Sequence, residues 1–266
     1  MANGTQWLAG RTALVTGATG GLGREIAREL ARSGCALALS ARNRERLEQQ
    51  ACDLRERYGI PVKCFPCDLS LPDAAGALAA AVRSAGLPVD VLVNNAGFGY
   101  DAPFVESDLG RQRALLQTND VALMDLTREF APAMRDRRCG WVLNVASVAG
   151  FLPGPYMATY YASKAFVQSF SIALRAELAP CGVHVTALCP GPVRTPFWDN
   201  ADAGGTLLAR MAIDAPKVAK AGVRALRSNR AICAPGLSAK AVVFGSRLLP
   251  RQAIARIAAR LQKPAR

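Results

Sequence analysis

The chain has 266 residues, of which 51% are hydrophobic, and its formal net charge is +13. This length allows one large α/β domain or two small ones, and the apolar content excludes an intrinsically disordered chain. No apolar run approaches the ~18 residues that a membrane-spanning helix needs. Residues 1–10 lack the charged and apolar regions of a signal peptide, so we expect a cytoplasmic location.

Strand-like apolar runs alternate with helical patterns along most of the chain. The sequence predicts strands over 12–16, 36–40, 62–66, 89–94, 141–146, 183–189 and 231–234. It predicts helices over 22–32, 44–58, 73–85, 120–137 and 160–179, and Asn43 is placed to cap the second of these. Regular βαβ alternation indicates a single α/β domain over residues 1–266, a Rossmann-type doubly wound parallel sheet with helices on both faces.

After the sixth predicted strand the pattern becomes irregular, because Gly-Pro and Gly-Gly pairs interrupt it. We predict a mobile substrate-loop segment with a short helix over 197–212. Residues 238–266 are predicted to form a basic helical tail that is interrupted at Pro250.

The eight cysteines are scattered, and Cys64 and Cys67 form a single CxxC pair. A redox or zinc site is one interpretation of such a pair. No second pair exists, and the one histidine of the chain, His184, is distant in sequence. We therefore expect buried reduced thiols and no metal site.

A glycine-rich turn over residues 16–23 follows the first predicted strand and opens the first helix. Doubly wound sheets bind a dinucleotide pyrophosphate at this position, because glycines let the backbone approach and the helix N-terminus attracts the anion. After the second strand, where NAD sites usually have an acidic residue, the chain has Ser40 and Arg42. Both residues favour the 2′-phosphate of NADP(H). The alternative is that Arg42 belongs to a solvated group with Arg44 and Arg46.

Tyr160 and Lys164 are four residues apart in the predicted helix 160–179, so they share one helix face. A neighbouring ammonium lowers the pKa of a phenol, which is about 10 when unperturbed, and prepares it for general acid–base catalysis. Ser147 lies thirteen residues upstream of Tyr160. The structural alternatives are a core tyrosine, a surface lysine and a turn-capping serine.

These features resemble the motifs of the short-chain dehydrogenase/reductase family. The glycine motif of that family matches Gly17, Gly21 and Gly23, and its strand-four motif matches residues 94–97, Asn-Asn-Ala-Gly. Its catalytic quartet matches Asn119, Ser147, Tyr160 and Lys164. Its motif after strand six matches residues 190–195, Pro-Gly-Pro-Val-Arg-Thr. The stretch 147–164 is similar to bacterial NADPH-dependent ketone and 3-oxoacyl reductases.

The resemblance implies a site for NADP(H). The cofactor-binding residues that it implies, together with those predicted above, are Gly17, Thr19, Gly21, Leu22, Gly23, Ser40, Arg42, Asp68, Leu69, Asn94, Ala96, Gly97, Tyr160, Lys164, Pro190, Gly191, Val193 and Thr195. Within the quartet, Ser147 and Tyr160 are expected to hydrogen-bond a substrate carbonyl oxygen. Lys164 is expected to poise the tyrosine, and Asn119 to hold a water that resupplies the proton.

The implied reaction is NADPH-dependent hydride transfer to the carbonyl of a hydrophobic ketone or 3-oxoacyl substrate, and the same residues serve the reverse oxidation. The segments expected near the nicotinamide are apolar and include Phe98, Phe151, Leu152, Tyr156, Met157, Phe197, Trp198, Leu207, Leu208 and Met211. The alternative function is a non-catalytic NADP(H)-binding scaffold or sensor. The resemblance also implies a homodimer or homotetramer packed through helix 160–179.

Positive charge is concentrated at the C-terminal end. Residues 1–206 contain 20 basic and 19 acidic side chains, whereas residues 207–266 contain 13 basic side chains and one acidic residue, Asp214. In the tail, one helix face is apolar and consists of Ile254, Ile257, Ala258 and Leu261. Either this tail contacts an anionic membrane or an acidic partner such as an acyl carrier protein, or its apolar stripe packs on the sheet domain. The tail has no nucleic-acid reader motif, so we expect no nucleic-acid partner.

Overall fold

A seven-stranded parallel sheet organises the computed structural model, which describes residues 6–195, 212–246 and 248–262. Its strands are β1 (Thr12–Thr16), β2 (Ala36–Ala41), β3 (Val62–Pro66), β4 (Val91–Asn94), β5 (Gly140–Val145), β6 (Val183–Leu188) and β9 (Ile232–Cys233). They lie in the order β3-β2-β1-β4-β5-β6-β9. The short strands β7 (Val193–Arg194) and β8 (Ile213–Asp214) pair separately. The predicted Rossmann-type fold is confirmed.

Helices cover both faces of the sheet. They are α1 (Gly21–Arg32), α2 (Arg44–Tyr58), α3 (Ala74–Ser84), α4 (Leu109–Leu116), α5 (Ala122–Asp136), α6 (Ala158–Leu178), α7 (Ala215–Arg227), α8 (Leu237–Gly245) and α9 (Arg251–Gln262). Buried side chains of α1, α2 and α7 form the core on one face. Those of α3 and α5, with partly buried side chains of α6, form the core on the other face.

The central strand β1 shows why these sequences form a doubly covered sheet. All five of its residues are buried. Ala13 and Val15 belong to the core beneath α1, whereas Leu14 belongs to the core beneath α3 and α5. Successive side chains of a strand point to opposite faces, so a strand covered on both sides must be apolar at every position.

Two helices of the structure, α4 and α7, were not predicted. The first of them, α4, precedes the predicted helix 120–137 and is joined to it by a wide π-helical turn, Gln117–Val121. The predicted helix itself, α5, begins at Ala122. The second unpredicted helix, α7, follows the last acidic residue of the chain and has a proline in its first turn, which is a favoured start. Its buried positions recur every three to four residues and include Val218, Gly222 and Leu226, so an amphipathic signal was present.

The C-terminal prediction is partly outside the described residues. Of the predicted segment 197–212, the structure describes Ala212 alone. The expected interruption at Pro250 is confirmed, because α8 ends before it and α9 begins directly after it. Within 6–195, 212–246 and 248–262, no helix has the length and apolar character needed to cross a bilayer.

The cysteine pair has the properties of structural thiols. Both Cys64 and Cys67 are free, and burial raises the pKa of Cys64 to about 11 and also raises that of Cys67. A reactive cysteine needs the opposite shift, toward the thiolate. Among the residues that the structure describes, no group of three or more His, Cys, Asp or Glu side chains is placed to hold a metal ion.

Candidate active site

The carboxyl ends of β1 and β4 meet where the strand order reverses, and doubly wound sheets bind ligands at this point. The Thr16 hydroxyl accepts hydrogen bonds from the backbone N–H groups of Asn95 (3.0 Å) and Ala96 (3.1 Å). The Asn95 side chain donates to the carbonyl oxygens of Thr16 (2.9 Å) and Gly17 (3.1 Å). These four bonds fix the glycine turn against the loop that follows β4.

The glycines of the turn are required by its geometry. Gly17 has a φ of +61°, in the left-handed region. A Cβ at Gly23 would lie 2.3 Å from the carbonyl oxygen of Gly17, so only glycine permits α1 to approach the turn this closely. The N-cap of α1 is Gly20, which has no side chain to accept the first amides of the helix. An anion can therefore accept them, and this arrangement fits a dinucleotide pyrophosphate.

The rest of the turn lies at the protein surface and reaches a second predicted segment. Thr19, Gly21 and Leu22 are partly exposed. A cavity of about 240 Å³ lies beside the first turn of α1, and both Gly21 and Thr195 line it. The segment that contains Val193 and Thr195 is far from the glycine turn in sequence, and the structure places it next to that turn.

At the carboxyl end of β2 the two predicted phosphate-binding residues differ in accessibility. Ser40 is buried, with 1% of the residue exposed, and its hydroxyl has no hydrogen-bond partner among the described residues. Arg42 is exposed, and its charge reaches Asp68. Burial raises the pKa of Asp68, but hydrogen bonds from Ser70 and the charge on Arg42 outweigh burial and hold the pKa below its ordinary value. The side chain of Leu69 is buried in the core, which leaves its backbone for any ligand contact.

The last residue of β4, Asn94, and the residue that follows it, Asn95, have different surroundings. Asn94 is buried, and its amide donates to the Thr127 hydroxyl (3.1 Å) and to Asn144 Oδ1 (2.9 Å). The neighbouring Asn95 contacts the glycine turn instead. Consecutive residues of a strand face opposite sides, which explains the division. The strand-four motif predicts a cofactor contact for Asn94 and gives no role to Asn95, although strand alternation is the signal that separates the two residues.

Ser147, Tyr160 and Lys164 are brought together at the carboxyl end of β5. Ser147 follows this strand, and its side chain forms a hydrogen bond with that of Tyr160. The Ser147 hydroxyl also accepts a hydrogen bond from Ala149 N–H (3.1 Å) and lies 3.5 Å from the carbonyl oxygen of Pro190. That carbonyl also accepts from Val148 N–H (2.9 Å), which connects the predicted segment 190–195 to the serine loop.

Lys164 lies one turn after Tyr160, and its Nζ is 5.7 Å from the centre of the tyrosine ring. The lysine is buried, and Nζ donates to the carbonyl oxygen of Val145 (3.0 Å). Burial lowers the pKa of Lys164 to about 8, against the opposing effects of Asp120 and Cys189. The ammonium form is thus retained at neutral pH, but with a reduced margin.

The predicted direction of the Tyr160 pKa shift is wrong for this structure. The four-residue spacing predicts that Lys164 lowers this pKa. Burial instead raises the pKa of Tyr160, and the hydrogen bond with Ser147 opposes burial without outweighing it. Desolvation penalises a phenolate, and a lysine at this distance does not compensate. Tyr160 is therefore a protonated hydrogen-bond donor at neutral pH.

Asn119 lies in the π-helical turn, where it joins the loop after β4 to α6. Its Oδ1 accepts from Phe98 N–H (3.0 Å), and its Nδ2 donates to the Phe98 carbonyl (3.1 Å) and to the Ser163 hydroxyl (3.0 Å). Gly97 stands beside it, because a Cβ there would lie 2.8 Å from Asn119 Oδ1 and 3.5 Å from Lys164 Nζ. Such wide turns recur at functional sites. The side chain is occupied by protein partners, and its water-holding role stays a prediction.

Asp120, the next residue, is a charged group that the sequence analysis missed. It is buried, and its Oδ1 has no hydrogen-bond partner among the described residues. Burial raises its pKa to about 6, and the positive charge of Lys164 opposes this shift. An acidic residue directly after the motif asparagine was the available signal.

His184 lies away from this site. It is paired with Trp141 in the sheet register, near the amino-terminal ends of β5 and β6, and its ring packs edge-on against that of Trp141. The site occupies the opposite, carboxyl end of the strands.

Comparisons with known proteins agree with this geometry. The sequence profile of the short chain dehydrogenase family matches residues 11–204. The chain belongs to this family. It is 38% identical over 191 residues to the very-long-chain 3-oxoacyl-CoA reductase of Anas platyrhynchos. The matched region covers 70% of this chain and 61% of that protein. The chain spans 53% and 54% of the length of two fungal reductases of the same name.

Solved short-chain dehydrogenases have the same fold. The short-chain dehydrogenase from Sphingobium yanoikuyae in complex with NADPH is 30% identical, with a TM-score of 0.81, over 90% of this chain and 93% of that one. The bulky-bulky ketone specific alcohol dehydrogenase from Comamonas testosteroni is 28% identical, with a TM-score of 0.76, over 94% and 98% of the two chains. The family to which the chain belongs consists of oxidoreductases that bind NAD(P)(H).

Proposed function

We propose that this short-chain dehydrogenase is an NADPH-dependent reductase of hydrophobic ketones or 3-oxoacyl compounds, with the reverse alcohol oxidation open to the same residues. The observation that carries the proposal is the protonated Tyr160 hydroxyl, which bonds to Ser147 and lies one helical turn from a buried lysine. A scaffold that only bound a dinucleotide would have no need of this arrangement.

The glycine turn would hold the pyrophosphate, and Lys164 would bind the nicotinamide ribose. A bound NADPH supplies the hydride. As negative charge develops on the substrate oxygen, the hydroxyls of Ser147 and Tyr160 donate hydrogen bonds to it and stabilise the transition state. Tyr160 then transfers its proton to that oxygen. Lys164, fixed by the carbonyl of Val145, holds a positive charge 5.7 Å from the centre of the Tyr160 ring and would offset part of the desolvation cost of the phenolate that remains.

The preference for NADP(H) over NAD(H) rests on Arg42. Its guanidinium is exposed directly after β2, where it can pair with a 2′-phosphate. The buried Ser40 contributes less to this proposal than Arg42 does. The similar protein from Sphingobium yanoikuyae is in complex with NADPH, which supports the same choice here.

The hydrophobic character of the proposed substrate rests on the loops around Tyr160. Phe98, Phe151 and Leu152 are partly buried, and Met157 is buried; Phe197, Trp198, Leu207, Leu208 and Met211 lie outside the described residues. Tyr156 has a φ of +67°, and its carbonyl accepts from Ala102 N–H (2.9 Å), which joins the two loops. The names of the relatives, a 3-oxoacyl-CoA reductase and a bulky-ketone alcohol dehydrogenase, support a large apolar substrate.

The test is the loss of NADPH absorbance with a panel of aliphatic, aromatic, steroid and 3-oxoacyl ketones. Tyr160→Phe should bind NADPH but lose nearly all turnover, whereas Tyr161→Phe, the adjacent matched control, should retain most of it. A Tyr160→Phe rate above about a tenth of the wild-type rate, a barrier change below ~1.4 kcal/mol, would contradict the proton-donor role. NADPH binding without turnover on any ketone would favour the scaffold.

We also propose that the chain forms a homodimer or homotetramer through α5 and α6. Four large apolar side chains are exposed on or beside these helices, namely Val121, Met124, Phe166 and Ile172. The rings of Phe166 and Phe170 stack at 5.7 Å, which adds to the apolar surface. Sedimentation velocity gives the test, and a wild-type monomer at micromolar concentration would exclude this proposal.

A further inference from the structure

Helix α8 exposes an apolar face, which is the reverse of the usual arrangement in a surface helix. Leu237 and Phe244 on the helix, and Leu248 just after it, are 85%, 66% and 67% exposed. With the exposed Ala241, they follow each other at intervals of four, three and four residues, so they project from one side. The opposite side, at Ala239, is buried.

Positive charge is concentrated in the same part of the sequence as this apolar face. From residue 237 to the end, the sequence contains seven Lys and Arg residues and no Asp or Glu. Four of them are exposed in the structure: Lys240, Arg251, Arg256 and Arg260. None of these four side chains forms an ion pair with another described residue.

Helix α9 carries three of these four charges, namely Arg251, Arg256 and Arg260. Ile254 is buried, so the packing interpretation of the tail is right for this residue, whereas Ile257 is half exposed. The arginines are thus presented on a helix that is anchored at Ile254. We define the docking surface as the exposed side chains of Leu237, Lys240, Phe244, Leu248, Arg251, Arg256 and Ile257.

This docking surface borders the proposed active site. Helix α8 packs against the turn Val148–Phe151, which directly follows Ser147. The methyl group of Ala239 lies 3.9 Å from the position of a Cβ at Gly191, in the predicted segment 190–195. A partner bound to the exposed side of α8 is therefore one helix thickness from the catalytic loops.

We propose that the docking surface binds the surface of an anionic lipid bilayer. Its exposed leucines and phenylalanine can enter the boundary between headgroups and acyl chains, while its basic residues meet the lipid phosphates. A second copy of the chain is a poorer occupant, because a symmetric contact would place two purely basic surfaces against each other. The proposal is independent of the reductase activity, since binding requires no turnover.

The test is flotation of the full chain with vesicles of phosphatidylcholine and phosphatidylserine, at low and high salt, with phosphatidylcholine vesicles as the control. We expect binding to the anionic vesicles that salt weakens. The double substitution Phe244→Glu, Leu248→Glu should reduce the bound fraction about tenfold or more, as should Arg251→Glu, Arg256→Glu. The matched control is Leu71→Glu. Leu71 is exposed and lies in the loop after β3, and β3 and β9 are the two opposite edges of the sheet. This variant should float like the wild type.

Thermal melts of all variants establish that the exposed substitutions leave the fold intact. Absence of flotation, or equal flotation with neutral vesicles, would overturn the proposal. Binding that survives both double substitutions would also overturn it. The same conclusion follows if the Phe244→Glu, Leu248→Glu variant loses a dimer that the wild type forms, because a second copy then covers the surface.

Discussion

The glycine turn and the Tyr160–Lys164 face both lie at the carboxyl end of the sheet but are built in different ways. The turn consists of backbone groups and neutral hydrogen bonds, and its fit to a pyrophosphate depends on the close approach of Gly23 to Gly17. The catalytic face consists of ionisable side chains whose pKa values are shifted by burial. The comparison separates two kinds of site: one is specified by shape, and the other by the cost of desolvating charge.

The largest expected effect tests the charged side of this comparison. Lys164→Met keeps an apolar stem of similar length but removes the buried ammonium. We expect turnover to fall about 100-fold to 1000-fold, because the Tyr160 phenolate loses its stabilising charge. The melting temperature should fall, because the substitution leaves the buried Val145 carbonyl oxygen without its donor and Asp120 without its compensating charge. Single-turnover rates and calorimetry measure the two effects, and turnover within threefold of wild type would show that the charge is dispensable.

The shape-dependent side is tested by Gly23→Ala. The added Cβ would meet the Gly17 carbonyl oxygen at 2.3 Å, so the turn must move, and we expect NADPH affinity to fall about tenfold or more. The matched control is Gly76→Ala in α3, where a Cβ would have nothing within 4 Å. This control should bind NADPH normally and gain up to ~1 kcal/mol in stability. Equal NADPH affinities for the two variants, by fluorescence titration, would contradict the steric argument.

The cost of desolvating a charge at this site can be measured at Asp120 through protein stability, without an activity assay. Its folded-state pKa, about 6, lies above its ordinary value of 3.8, so the folded protein keeps a proton that the unfolded chain releases. This group therefore lowers stability progressively as the pH rises from about 4 to about 6, by roughly 2–3 kcal/mol. Asp120→Asn removes this component. Urea titrations of both proteins should show an advantage for the variant that grows over this window, and a pH-independent difference would contradict the assigned pKa.

The smallest expected effect concerns Arg42, the exposed residue directly after β2. Arg42→Ala should raise the KM for NADPH about tenfold and leave the KM for NADH unchanged, because only the 2′-phosphate loses a partner. Arg46→Ala is the control, since it removes an exposed arginine of the solvated group on α2. If both substitutions affect NADPH equally, the positive charge of the region matters and the position of Arg42 does not.

Much of the fold could be predicted from the sequence, because local signals and tertiary packing agree there. Strands β1 and β3 and helix α2 have the predicted bounds, and Asn43 caps α2 through a hydrogen bond from Arg46 N–H (2.8 Å). Helix α4 was missed because its apolar and polar residues show no clear helical period. The start of α5 was misplaced because the π-helical turn before it depends on tertiary packing, which the local sequence pattern does not show.

The candidate site was predictable in its members but not in its electrostatics. Tyr160 and Lys164 share a face, as their spacing indicates, but the direction of the tyrosine shift depends on burial that spacing does not report. Likewise, the pair Asn94 and Asn95 marked the end of β4, but only the structure shows which one reaches the glycine turn. Residue types indicate which chemistry is available, and desolvation decides which protonation state is present.

The π-helical turn at 117–121 has a consequence for engineering. Each residue of an α-helix advances the helix by about 100°, so the additional residue of a wide turn rotates everything after it relative to what precedes it. Deleting one residue here would straighten the segment into a continuous rod and turn Asn119 away from Phe98, or carry the apolar side of α5 off the sheet. Chimeras that exchange this region between relatives should therefore be joined before Leu109 or after Asp136, so that α4, the π-helical turn and α5 all come from the same parent.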